Sequence, residues 1–256
     1  MQLSIQDIVV EYDLPRGSRL KALGPVSFDI EAGQFVGLVG PSGCGKSTLI
    51  RVLAGLEKPA SGSVQHNDQI IITPDRASPS PHIGLMFQQA TLMPWRTVID
   101  NVALPLELAG KAQNERYAAA QELLDSLDLA EFTRVYPGSL SGGMAQRVAL
   151  ARVLVTQPEV LLLDEPFGAL DAMTREQVSF DLLKAREKHN QTVLMVTHDV
   201  TEAVLLSDRV LVMSRRPGQI MANIPVNIRR PRQPDDIFMP EFVDTARAVR
   251  FAIQMA

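Results

Sequence analysis

The sequence reads as an α/β protein with an all-helical insertion in its middle. Three observations point there. Short apolar runs, such as residues 34–40 (QFVGLVG) and 159–166 (EVLLLDEP), stop at glycine or at acids, as strands covered on both faces of a parallel sheet do. Stretches of helical periodicity follow them. From 98 to 157 the strand signals stop and helix-forming sequence takes over.

Length and composition set bounds. The 256 residues are 46% apolar and 21% charged, with a formal net charge of −4. Domains usually run to roughly 100–200 residues, so the chain holds one large domain or one domain carrying an insertion. A chain of this size buries about three-quarters of its unfolded surface, and its apolar fraction excludes disorder. Cys44 is the single cysteine, which excludes an internal disulfide and a cysteine-rich metal site. The mildly acidic balance leaves no electrostatic footprint for nucleic acid. The first residues lack a basic stretch followed by an apolar signal-length run, and no segment approaches the roughly 18–20 apolar residues of a membrane span. The expectation is an intracellular, soluble enzyme.

Taken in order, residues 3–12 alternate loosely and read as an edge strand. Residues 26–30 (VSFDI) alternate cleanly and end at the turn Glu31-Ala32-Gly33. The run 34–40 opens through glycine into a helix over 47–56, punctuated by Gly55 and Pro59. Residues 60–82, rich in Ser, Pro, Asn and Asp, read as short strands and loops, and 82–88 (HIGLMFQ) as another buried strand. Within 116–130, Leu123, Leu124 and Leu127 share one helical face. Strands return at 159–166 and 192–199, with a helix at 174–189 between them. Residues 208–214 and 219–226 read as a closing hairpin. The tail after Arg229, interrupted by Pro and Arg, ends in a helix over 240–254. There are no internal repeats.

The loop between the run 34–40 and its helix carries chemistry. Gly40-Pro41-Ser42-Gly43-Cys44-Gly45-Lys46-Ser47, with Thr48 behind it, fits G-x-x-x-x-G-K-[ST] in the strand–loop–helix setting that this motif requires. Glycines let the backbone fold around phosphate oxygens, while successive N–H groups and the helix N-terminus supply donors. Lys46 can reach the β- and γ-phosphates, and the Ser47 hydroxyl suits Mg²⁺. The plainer alternative is a glycine-rich turn that only joins strand to helix.

Asp164 and Glu165 end a buried strand. Two carboxylates at an apolar tip are costly unless they hold a cation or donors. Asp164 fits the Mg²⁺-side acid of a P-loop ATPase and Glu165 a residue that polarises the attacking water. Alone, the pair reads equally well as a polar strand end capping the next turn. Beside the phosphate loop, the two motifs make an NTPase.

Leu140-Ser141-Gly142-Gly143-Met144-Ala145-Gln146-Arg147 resembles the LSGGQ signature of ABC-transporter ATPase subunits, upstream of Asp164 as that family places it. Physically, Ser141, Gly142 and Gly143 open the helix 144–155, so their N–H groups make either a second anion site or an ordinary N-cap on Ser141. The resemblance implies a P-loop NTPase with a RecA-like core, an N-terminal antiparallel β-subdomain and an inserted α-helical subdomain. It places the ATPase domain at 1–228, with core 1–88 and 158–228 and insertion at about 89–157, and a tail at 229–256. It further implies a head-to-tail homodimer around two ATP and Mg²⁺, in which the Ser141–Gly143 cradle serves the partner's nucleotide.

Other positions match in order. Gln88 corresponds to the Q-loop glutamine that senses Mg²⁺ and water, with Gln89 the weaker match. Ala169-Leu170-Asp171 resembles the D-loop, whose Asp171 touches the opposite site. His198 matches the switch histidine at the γ-phosphate, although a histidine at a strand end is often structural. Tyr12 resembles the aromatic that stacks on adenine, or is a core tyrosine of its strand. The implied catalytic set is Glu165, His198 and Gln88, with Ser47, Gln88 and Asp164 at the metal. Departures are few: Met144 replaces the usual signature glutamine, and Gly168 stands where many members have serine.

Leu92-Met93-Pro94-Trp95, the stretch 165–171 and Met213-Ser214-Arg215-Arg216-Pro217-Gly218 look like nitrate/sulfonate/taurine-type importer ATPases. That implies membrane permease subunits as partners, a solute-binding protein acting indirectly, and a peripheral place on the cytoplasmic face of the membrane. Trp95 either helps dock a permease helix or fixes the insertion against the sheet. An exporter ATPase is the nearer alternative. A soluble ABC ATPase or a non-catalytic adaptor fits less well, since Lys46, Glu165 and His198 are all present. Cys44, near a helix N-terminus, is expected to be either a reactive thiol that bound ATP shields or a buried, inert one.

Overall fold

The computed structural model describes residues 2–168 and 170–256, with the side chains of Arg16, Ala185, Glu187, Lys188 and His189 left aside. Ala169, read as part of the D-loop, lies outside the described residues. Two sheets organise the chain. The first is antiparallel, with β1 (Leu3–Asp13), β2 (Arg19–Ile30), β4 (Ser61–His66) and β5 (Gln69–Ile72) in the order β2-β1-β4-β5. β1 therefore lies inside this sheet, correcting the edge strand expected from its loose alternation. Register shifts between Ile5 and Ile8 and between Ile8 and Val10 break the alternation, as bulges do in a strand paired on both sides.

The second sheet has the order β10-β9-β3-β8-β7-β6. It comprises β3 (Phe35–Val39), β6 (Ile83–Met86), β7 (Val160–Asp164), β8 (Thr192–Val196), β9 (Arg209–Met213) and β10 (Ile220–Pro225). It is parallel from β9 to β6, and β10 closes it as an antiparallel hairpin strand. Every residue of β3 and β8 is buried, which is why their sequences are apolar at nearly every position. Alternate residues serve opposite faces. Phe35, Leu161, Leu163, Val193 and Met195 join one cluster with the helices. Val36, Leu38, Leu162, Leu194 and Val196 join another with the antiparallel sheet and α1 (Lys46–Leu53).

Three helices occupy the middle of the chain: α2 (Val98–Leu108), α3 (Gln113–Ser126) and α4 (Gly142–Leu154). Val102, Leu124 and Val148 bury their apolar stripes in the cluster under the sheet. α5 (Ala172–His189) carries the chain back to β8, and the short α6 (Val200–Leu206) follows. α6 had no signal in the periodicity, because seven residues show too few turns. Its start is nonetheless encoded locally: the Asp199 carboxylate accepts from the Thr201 and Glu202 N–H groups.

The tail is fastened to the sheet edge. Arg230 Nη2 donates to the Leu206 carbonyl at 2.9 Å, and Arg232 Nη1 donates to Val204 and Leu205 carbonyls at 3.0 and 2.6 Å. These are the otherwise unpaired last carbonyls of α6, and two guanidinium groups satisfy them where the helix dipole is negative. Burial is deep enough to pull the Arg232 pKa down to about 10. Beyond this clamp, α7 (Pro240–Met255) lays Phe242, Ala246 and Val249 over Val204, Val210 and Val212. Replacing Arg232 with alanine is expected to lower unfolding free energy by about 2–3 kcal/mol, the scale of buried charge-assisted hydrogen bonds left unmade. Chemical denaturation measures it, and a loss below about 0.5 kcal/mol, the level of an ordinary surface change, would show that the tail is not held this way.

Candidate active site

Strand order decides which residues meet. Leu38 of β3 stands in register with Val196 of β8, and Val196 with Asp164 of β7; Met86 of β6 faces Leu163. The carboxyl ends of four adjacent parallel strands thus deliver the phosphate loop, His198, the Asp164–Glu165 pair and Gln88 to one edge. Ligands of open α/β sheets bind at that edge.

The loop after β3 turns into α1 through Gly45, which has φ +109°. A Cβ there would fall 2.5 Å from Leu23 Cδ2 and 3.1 Å from the Ala22 carbonyl, so both backbone conformation and space demand glycine. Lys46 Nζ donates to the Gly40 and Pro41 carbonyls at 2.8 and 3.0 Å, which holds the ammonium across the loop. Ser42, Gly43, Gly45, Lys46, Ser47 and Thr48 line an open cleft of about 280 Å³ together with Tyr12 and Glu165. Tyr12 reaches it from the first sheet, its hydroxyl 3.4 Å from Thr48 Oγ1. Of the alternatives for Tyr12, a core tyrosine does not match a side chain on a cleft wall that is 36% exposed.

Behind the cleft wall, Ser47 Oγ donates to Asp164 Oδ1 at 3.1 Å. Burial pushes the Asp164 carboxyl above its ordinary range, and the Ser47 hydrogen bond pulls it partly back. A carboxylate penalised in this way is one that a cation would stabilise. Glu165 follows at φ +46°, a conformation costing a non-glycine residue about 1–3 kcal/mol and concentrated at functional positions. Its Oε2 accepts from Gln88 Nε2 at 3.0 Å and lies 3.2 Å from His198 Nδ1. One carboxylate oxygen is therefore the meeting point of residues that follow β6, β7 and β8.

The remaining predicted residues gather elsewhere. Ser141 caps α4, its Oγ accepting from the Met144 N–H, and Asp171 caps α5, its Oδ1 accepting from the Thr174 N–H at 3.1 Å. That hydrogen bonding holds the exposed Asp171 carboxyl below its ordinary range. Gly143 joins the two caps, since a Cβ on it would sit 2.2 Å from Thr174 Cγ2. None of Ser141, Gly142, Gly143 or Asp171 lines the cleft around Lys46. The chain thus carries a cleft lined by Glu165, on which Gln88 and His198 converge, and, apart from it, a pair of helix N-termini packed together.

Two expectations are resolved by burial. Cys44 is 1% exposed, with Sγ 3.8 Å from Lys46 Nζ. Of the two alternatives for this thiol, that burial favours the inert one over the reactive, ATP-shielded one. Trp95 is 72% exposed, so it does not fix the insertion against the sheet. Asn101, fully buried, shapes the loop that presents it: its amide donates to the Met93, Arg96 and Thr97 carbonyls and accepts from the Met93 N–H.

Sequence reasoning missed several residues. Arg216 lines the cleft and donates to the Gly43 carbonyl at 3.0 Å, although it entered only as part of an importer-like stretch. Arg175 donates to the Leu170 carbonyl at 2.9 Å and pairs with Asp199 and Glu202, tying the D-loop to the turn after His198. Glu202, its carboxyl raised by burial, accepts from Thr197 Oγ1 at 2.6 Å. No local signal marks these arginines, since their partners lie far along the chain or in backbone carbonyls. The available signal was for Gln146 and Asn101, polar residues standing inside apolar stripes.

A phosphate loop on the central strand of a parallel sheet, with an acid pair and a histidine at the same edge, defines a P-loop nucleoside triphosphatase. The family model for the ABC transporter matches residues 23–168, and the chain belongs to that family as an ABC-type ATPase. It is 44% identical over 228 residues to the nitrate import ATP-binding protein NrtD of Synechocystis, covering 89% of this chain and 84% of that protein. It is 42% identical over 238 residues to the bicarbonate transport ATP-binding protein CmpC of Synechococcus elongatus, covering 92% of this chain but 35% of that longer protein. The dimeric structure of MJ0796, a bacterial ABC transporter cassette, superposes with TM-score 0.78 at 32% identity, covering 89% of this chain and all of that one. A post-hydrolysis state of the same cassette bound to ADP and Pi gives 0.77.

The contact between the two helix N-termini is testable. Gly143→Ala should lower stability by about 1–3 kcal/mol, the usual scale of overpacking, because Thr174 Cγ2 has to move. Adding Thr174→Ser, which removes that methyl group, should restore most of the loss in thermal unfolding. No recovery in the double variant would place the strain elsewhere.

Proposed function

We propose that the chain is the ATP-hydrolysing subunit of an importer, and that two copies close head-to-tail around two Mg·ATP to power uptake of a small solute. The observation that carries this reading is the convergence of Gln88 and His198 on one oxygen of Glu165, at the wall of the phosphate-loop cleft. The N–H groups of residues 42–47 hold the phosphates, and Lys46 exchanges its loop carbonyls for phosphate oxygens. Tyr12 carries the base. Glu165 orients the attacking water and takes its proton, while His198 faces the γ-phosphate.

The donor set behind the cleft wall fits Mg²⁺: a hydroxyl on Ser47, a carboxylate on Asp164 that burial penalises as a bare anion, and the Gln88 amide one residue pair away. Mg²⁺ takes few protein ligands, keeps waters and binds phosphate oxygens, and when bound it neutralises phosphate charge. Because Ser141, Gly142, Gly143 and Asp171 do not line their own chain's cleft, they serve ATP held by a second copy. The dimeric solved relative supports that arrangement.

Import is supported by the nitrate and bicarbonate relatives and by the exposed Trp95 loop, which suits a permease helix. Among the described residues no helix is long and apolar enough to cross a membrane. The relatives named as import ATP-binding proteins support the reading in which separate permease subunits span the membrane and this chain is peripheral on its cytoplasmic face. A solute-binding protein and the permease choose the cargo: nitrate, sulfonate, taurine or a related small compound. In this reading residues 1–88 and 158–228 form the core, about 89–157 the helical subdomain, and 229–256 the tail.

The test is Glu165→Gln, compared with wild type by size exclusion with and without Mg·ATP. The variant should elute as a monomer alone and as a dimer with Mg·ATP, with turnover nearly abolished. Hydrolysis near the wild-type rate would remove Glu165 from its role, and a variant that binds ATP yet stays monomeric would overturn the cross-chain site.

A further inference from the structure

Gln146 stands on the buried face of α4, between Gly143 and Leu150, and is 3% exposed. Both hydrogens of its amide are committed. Nε2 donates to the Gln88 carbonyl at 2.9 Å and to the Pro166 carbonyl at 2.8 Å. Its amide oxygen is buried and has no hydrogen-bond partner among the described residues. An apolar side chain of the same length would carry no unmade acceptor of its own but would leave the Gln88 and Pro166 carbonyls without this donor, so the cost of an amide here is explained by what its donors hold.

They hold the main chain on either side of one hydrogen bond. Gln88 is the residue whose side chain meets Glu165 Oε2 at 3.0 Å, and Pro166 is bonded directly to Glu165. A single nitrogen on α4 therefore grips both partners of the Gln88–Glu165 pair from behind. Farther along the same helix, Arg152 donates to the Ala90 and Thr91 carbonyls at 2.8 and 3.0 Å, so the segment after Gln88 is fastened to α4 as well. At its other end, α4 begins with the Ser141–Gly143 cradle.

We propose that Gln146 is a positioning residue for ATP hydrolysis: it sets the approach of Gln88 to Glu165 and makes that approach depend on where α4 lies. This rests on the role given above to Glu165. Gln146 touches no nucleotide. A shift of α4, whether driven at its N-terminal cradle or through the insertion, pulls on both carbonyls and changes the geometry at Glu165 Oε2.

The test uses the full chain with Gln146→Met, which keeps length and volume but removes the donors. A second variant, Gln146→Asn, keeps a buried amide one methylene too short to bridge both carbonyls. Steady-state hydrolysis should show kcat reduced about 10–100-fold, the scale of a misplacement near 1 Å, with KM for ATP changed less than about threefold. The thermal midpoint verifies folding, and Gln146→Asn carries the test if Gln146→Met does not fold. In a Gln88→Ala background, Gln146→Met should cost less than about threefold more, because the pair it positions is already broken. A merely structural role predicts the full penalty again, and that result overturns the inference. So does turnover of folded Gln146→Met within about twofold of wild type while Glu165→Gln is inactive. Wild-type turnover by Glu165→Gln instead overturns the reading of Glu165 on which this one rests.

Discussion

The parallel ladder through β3, β8 and β7, with Leu38, Val196 and Asp164 in register, is the constraint from which the rest of the structure follows. Its strands are apolar on both faces, so neither face can meet water, and layers must cover both. Parallel strands cannot be joined by tight turns. Each return crosses over and re-enters the sheet at the same end, so every strand leaves at the opposite, carboxyl edge. Groups that stand between 40 and 198 in the sequence are in this way brought within hydrogen-bond distance.

What gathers at that edge is polar and costly. Asp164 is desolvated, Glu165 has a left-handed backbone, and Lys46 spans its own loop. Such features persist because the surroundings over-determine them. Ser47 answers Asp164, and Gln88 and His198 answer Glu165. The residues behind them extend the web: Gln146 reaches the main chain beside Glu165 from α4, and Arg175 reaches the turn after His198 from α5. The N-termini of α4 and α5 touch each other at Gly143 and Thr174. The cleft and the signature-like cradle are thus separate in space but joined through two helices.

The tail follows the same logic at the far end of the sheet. β9 and β10 leave Val210 and Val212 needing cover, and α6 is too short to provide it. Arg230 and Arg232 use the last carbonyls of α6 as their anchor, and α7 completes the layer. Stability at this edge therefore depends on residues outside the phosphate-binding machinery.

The phosphate loop, the acid pair, the signature-like stretch and most strands were legible in the sequence, because each is defined by residues adjacent in the chain. Glycine spacing, a run such as LLLD, or Ser141 ahead of Met144 carries its meaning locally. The interior place of β1, the helix over Val200–Leu206, the burial of Cys44 and the reach of Gln146, Arg175, Arg216 and Asn101 were not legible. The helix is too short to show a period, and each of the others depends on partners or on solvent exclusion supplied by distant segments. The sequence by itself determined which chemical groups this ATPase owns and the turns that present them. Only the tertiary structure decided that Gln88, Glu165 and His198 share one oxygen, because hydrogen bonding and desolvation act through space, and the order of strands in the sheet sets who is near whom.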